Sequence, residues 1–62
     1  MKYFVAELDG YLFENLILAE DDYDAWNQAA DQLNGFKAYD PHELMVTPLD
    51  EWEAIFGKWE DA

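Results

Sequence analysis

Residues 2–8, Lys2-Tyr3-Phe4-Val5-Ala6-Glu7-Leu8, are dense in aromatic and β-branched side chains and predict a strand. Asp9-Gly10 follows, a dipeptide suited to the two positive φ angles of a type I′ hairpin turn. Tyr11 to Ala19 then reads as the return strand. If Leu8 pairs with Tyr11, Phe4, Ala6 and Leu8 share a face with Phe13 and Ile17, while Leu12, Leu16 and Leu18 point the other way. Two arrangements satisfy this: both faces of the strand are partly covered, or a bulge near Glu14-Asn15 shifts the phase.

A helix is predicted over 22–34. Asp21 or Asp22 is placed to cap it, because a short carboxylate accepts from the free N–H groups of a first helical turn. Tyr23, Trp26, Ala30 and Leu33 recur at helical spacing with Ala29 beside them, against a polar face of Asp24, Asn27, Gln28, Asp31 and Gln32. Asn34-Gly35 closes this helix. Phe36 to Asp40 is expected to be extended, Asp40-Pro41-His42-Glu43 to turn, and Leu44-Met45-Val46 to form a third strand. Thr47 as N-cap with Pro48 at the first helical position opens a second helix. Leu49, Trp52, Phe56 and Trp59 recur along it with Ile55 alongside, and Gly57 is where it is expected to stop.

The resulting order, β-β-α-β-α, predicts one α+β domain spanning 1–62. It is a small antiparallel sheet of about three strands with the first helix packed across one face. A short C-terminal helix lies on the other face or at the edge. Tyr23, Trp26, Trp52 and Phe56 are expected in the core, and Trp59 to stay partly exposed as an aromatic anchor.

Composition changes the picture through charge. Fifteen acidic residues face three lysines and no arginine, for a net charge of −12. The chain is 52% hydrophobic with three Trp, four Tyr and four Phe, so it has the apolar area to collapse that disordered acidic tails lack. Self-repulsion at this charge opposes folding, which points to a use for the acids. Direct nucleic-acid and anionic-membrane ligands are disfavoured by the same field, and a basic macromolecular surface is favoured. No apolar run is long enough to span a bilayer and Met1-Lys2-Tyr3 does not open a signal peptide, so a cytoplasmic monomer is expected.

Candidate chemistry is sparse. There is no Ser and no Cys, which removes the commonest nucleophiles and thiolate metal sites. An EF-hand register begun at Asp22 puts Asn27 where the loop needs glycine and Leu33 where it needs the closing glutamate. His42, beside Pro41, reads as a solvated loop residue, and paired-carboxylate catalysis needs an enclosed cleft that so short a chain has little volume to build. No enzymatic activity, cofactor or metal is expected. What remains is a band of acids on the first helix (Glu20, Asp21, Asp22, Asp24, Asp31) and another on the second (Asp50, Glu51, Glu53). These eight are the expected partner-binding residues, because rows of carboxylates can imitate a phosphate backbone toward a basic groove.

In size, acidity, lack of cysteine and its β-β-α-β layout, the chain resembles small phage-encoded inhibitors of bacterial defence, the anti-CRISPR and DNA-mimic antirestriction proteins. That resemblance implies a stoichiometric binder occupying the DNA-binding groove of a defence complex such as a CRISPR effector. The alternative is a small acidic interaction module, such as an antitoxin or immunity protein neutralising a basic partner, with its interface centred on aromatics such as Trp59 or Tyr39.

Overall fold

The computed structural model describes residues 1–33 and 40–59. The expected helix end at Asn34-Gly35, the extended segment from Phe36 through Tyr39 and the tail beyond Trp59 lie outside them. Within them the chain is α+β, an antiparallel sheet with two helices.

Strand β1 (Lys2–Leu8) is the centre of the sheet. The hairpin forms as the sequence predicts: Asp9 and Gly10 have φ of 50° and 84°, and Leu8 pairs with Tyr11. The return strand is not continuous. It divides into β2 (Tyr11–Leu12) and β3 (Ile17–Ala19), both antiparallel to β1. The Phe13 N–H donates to the Ala6 carbonyl at 2.9 Å, whereas Ile17 is opposite Phe4. Moving from Ala6 to Phe4 uses two residues of β1, and moving from Phe13 to Ile17 uses four, so two extra residues bulge out across Glu14–Leu16. An even insertion kinks the strand without changing which face its side chains occupy. Strand β4 (Leu44–Pro48) pairs along the other edge of β1, from Leu8↔Leu44 to Phe4↔Pro48.

Helix α1 (Asp22–Gln32) lies across one face. Its buried residues are Ala25 and Ala29.

 Because Ala25 and Ala29 present only methyl groups, the helix sits close to the sheet and, with Leu33, seals Phe4, Ala6, Ile17, Ala19 and Leu44 into one core. Trp26, Ala30, Leu8, Phe13 and Val46 pack around that core half-buried. The Trp26 Nε1–H donates to the Leu44 carbonyl at 3.1 Å, tying α1 to β4. Tyr23 was expected in this core and is 74% exposed instead. The stripe that faces the sheet runs through Ala25, Ala29 and Leu33, one position round the helix from Tyr23, so the small residues rather than the large one set the contact.

A 3₁₀ turn, Pro41–Glu43, leads into β4, with the Asp40 carboxylate accepting from the His42 N–H at 2.9 Å. Helix α2 (Leu49–Phe56) follows β4 without a linker. The expected Thr47 cap does not form, because Thr47 is held in the sheet opposite Val5 and ladder pairing wins over capping. Pro48 is both the last strand residue and the helix N-cap, rather than the first helical residue, and offers no side-chain cap. The helix ends at Gly57 as expected, with φ 98° and its N–H donating to the Glu53 carbonyl at 2.9 Å. Val5 is buried outside the α1 core, on the face toward which α2 packs against β1 and β4. Trp52 stacks on Phe56 at 5.1 Å and meets Trp59 edge-on at 5.2 Å. Phe56, expected in the core, is 67% exposed, and Trp52 and Trp59 are half-buried. An eight-residue helix ends before it can lay its last turn on the sheet.

Candidate functional site

Strands β3 and β4 both run antiparallel to β1, and both finish at its N-terminal end: Ala19 opposite Lys2, Pro48 opposite Phe4. Each is followed by a helix, α1 after the two intervening residues Glu20 and Asp21 and α2 immediately after Pro48. Both helix N-termini therefore open at the same end of the molecule. Helix starts favour carboxylates, which answer the unpaired N–H groups and the positive end of the helix dipole. Topology thus gathers two acidic helix starts that are about thirty residues apart in sequence.

At the first start, Asp21 is extended (φ −153°, ψ 179°) and caps α1, its Oδ1 accepting from the Asp24 N–H at 2.8 Å. Asp24 reaches back, its Oδ2 accepting from the Glu20 N–H and from Gln28 Nε2, each at 3.3 Å. Gln28 Nε2 also donates to the Leu18 carbonyl at 3.0 Å, so this network fastens the helix to β3. At the second start, the Asp50 Oδ1 accepts from the Glu51 N–H at 3.0 Å, and further on the half-buried Glu53 accepts from the Trp59 N–H at 2.8 Å.

The eight expected partner-binding residues separate on these facts. Glu20, Asp21, Asp22 and Glu51 line one surface recess of about 320 Å³, together with Lys2, Phe4, Val46 and Pro48. Lys2 is the cation among them, with its Nζ 5.6 Å from the centre of the Phe4 ring. Asp24 and Glu53 are half-buried and committed to backbone N–H groups, so their carboxylates serve the fold. Asp50 is exposed but stands outside the recess. Asp31 lies about 14 Å along the α1 axis from Asp22, at a rise of about 1.5 Å per residue, and does not join the group. Among the described residues no polar or charged side chain is buried, and no three carboxylate or imidazole groups stand close enough to share a metal ion.

A second depression adjoins the first and shares Asp22 and Val46 with it. It is a groove of about 430 Å³ between α1 and β4, lined by Asp22, Tyr23, Trp26, Met45 and Val46. Sequence reasoning missed this groove because the same spacing that marks Tyr23 and Trp26 as helical also marks them as core. The alternation of exposed Met45 with buried Leu44 was the available signal. No helix among the described residues is long and apolar enough to cross a membrane. Comparison with protein-family models, with curated proteins and with solved structures returns no match.

Proposed function

We propose that this chain is a nonenzymatic inhibitor that binds the basic nucleic-acid-binding surface of a bacterial defence complex, anti-CRISPR-like in its mode, and blocks DNA from binding there. The setting is the cytoplasm of a phage-infected bacterium, and the chain acts as a monomer. The observation that carries this reading is the meeting of two acidic helix starts, Glu20–Asp22 and Glu51, on a chain of net charge −12. A groove built to hold phosphates attracts such a surface over long range, and binding releases the counterions that each side had condensed.

The test is a tagged pull-down from a bacterial lysate with active CRISPR and restriction systems, washed at low and raised salt and then challenged with duplex DNA. The expected result is recovery of a nucleic-acid-binding complex that both salt and DNA displace. A complex that duplex DNA cannot displace would sink the mimicry reading.

A second reading draws on the exposed apolar residues Tyr23, Met45, Ile55 and Phe56. They suit an interaction module whose interface has an apolar centre, such as an antitoxin or immunity protein. In that case Phe56→Ala weakens the captured complex more than any single carboxylate substitution does.

A further inference from the structure

The groove between α1 and β4 combines features that plain solvated surface does not require. Tyr23 stands at its lip, largely exposed, where the helix could have carried a polar residue at no cost to the core. Trp26 has its one side-chain hydrogen-bond donor occupied by the Leu44 carbonyl, so what its side chain offers the groove is ring surface. Met45, exposed at the outer edge of β4, completes the lining. Asp22 is the single charged group in this lining, and across it lie the other carboxylates of the recess.

We infer that this groove receives an arginine side chain from the partner, its guanidinium lying against Tyr23 and Trp26 and paired with Asp22. This deepens the functional reading above and rests on it for the partner's basic character. The choice among occupants follows from chemistry. An aliphatic side chain fills the apolar part and leaves the carboxylate with nothing to bind. A lysine ammonium is a strongly hydrated point charge that gives up more water to reach an aromatic wall. A guanidinium is planar, weakly hydrated and always charged, so it stacks on a ring and still presents N–H groups in plane to a carboxylate. A second copy of this chain cannot supply the group, because the sequence has no arginine and two copies at −12 repel.

The experiment is an NMR titration of the whole protein at low salt with three capped peptides, Gly-Arg-Gly, Gly-Lys-Gly and Gly-citrulline-Gly. Citrulline keeps the shape of arginine and removes its charge. The arginine peptide is expected to produce saturable shifts centred on the Trp26 indole N–H, the Met45 methyl and the Asp22 and Tyr23 amides. The lysine peptide binds about two- to fivefold more weakly, and the citrulline peptide leaves those signals in place. Tyr23→Ala and Asp22→Asn each weaken the arginine peptide by about two- to fivefold. Both residues are exposed, and unchanged amide shifts in β1 and β3 check that the variants remain folded.

Shifts from citrulline equal to those from arginine overturn the inference. So do arginine-induced shifts spread over the carboxylates that spare Trp26 and Met45, or an unchanged affinity in Tyr23→Ala. The two proposals fail separately. A groove that binds the arginine peptide in a protein whose captured complex resists DNA overturns the functional reading and supports the groove. A complex that DNA displaces, with the peptide missing the groove, overturns the groove and supports the functional reading.

Discussion

The two faces of the sheet are built to different standards of closure. On the α1 side, neighbouring strands contribute Phe4, Ala6, Ile17, Ala19 and Leu44, and all are buried. On the other side Val5 is buried, but Tyr3, Leu12, Leu18 and Met45 remain exposed although each points from the same strands. Ile17 and Leu18 are adjacent, similar in size and 3% and 44% exposed. The difference lies in the helices. Helix α1 carries alanines at its contact and is eleven residues long, so it comes close and covers length. Helix α2 carries Trp52 and Phe56, which spend part of their surface on each other and on Trp59. One side therefore holds the fold, and the other leaves apolar surface open to solvent.

Breaking the closed side should have the largest effect. Among the described residues Phe4 is the largest fully buried side chain, and Phe4→Ala should cost about 3–5 kcal/mol through lost burial and the cavity left behind. In a chain this small that removes most of the stability, and far-UV circular dichroism at ambient temperature should show largely unfolded protein. The adjacent pair sharpens the comparison. Ile17→Ala should cost about 2–5 kcal/mol and Leu18→Ala less than about 1 kcal/mol, read as separate urea midpoints. Equal midpoints would mean that the two faces share the work of folding.

The same contrast runs through the acids at a smaller scale. Asp21→Ala removes the α1 cap and should cost about 1 kcal/mol, whereas Asp22→Ala beside it should change stability by less than about 0.5 kcal/mol. Thermal melts of the two variants against the parent protein check this. It follows that Asp24, whose carboxylate accepts from Glu20 and Gln28, is a poor site for testing binding. Asp22 and Glu51 are better ones.

Much of the fold was legible in the sequence because local rules and tertiary packing agree there. The Asp9-Gly10 turn, the Asp21 cap, the turn at Pro41 and the stop at Gly57 each depend on the conformational habits of one or two residues. The break in the return strand was harder to place. Its two extra residues preserve the alternation of faces, so the apolar pattern reads almost the same with or without them. Tyr23 misled because helical spacing weighs large residues, while the contact of α1 is made by its alanines, and Phe56 misled because α2 ends before its last turn reaches the sheet. Thr47 misled because its place in the ladder depends on Val5, more than forty residues away. The candidate site was legible only as two separate acidic stretches. Their meeting depends on both flanking strands ending at the same end of β1, which no local pattern encodes.

Under the proposed function, recognition runs through the carboxylates at the shared end of the two helices. The most direct measurement is the affinity of the double variant Asp22→Lys/Glu51→Lys for the captured complex, followed over a series of salt concentrations beside the parent protein. The expected result is binding weaker by about tenfold or more at low salt, with a shallower dependence on salt and an unchanged fold. Equal affinity and an equal salt slope would contradict it.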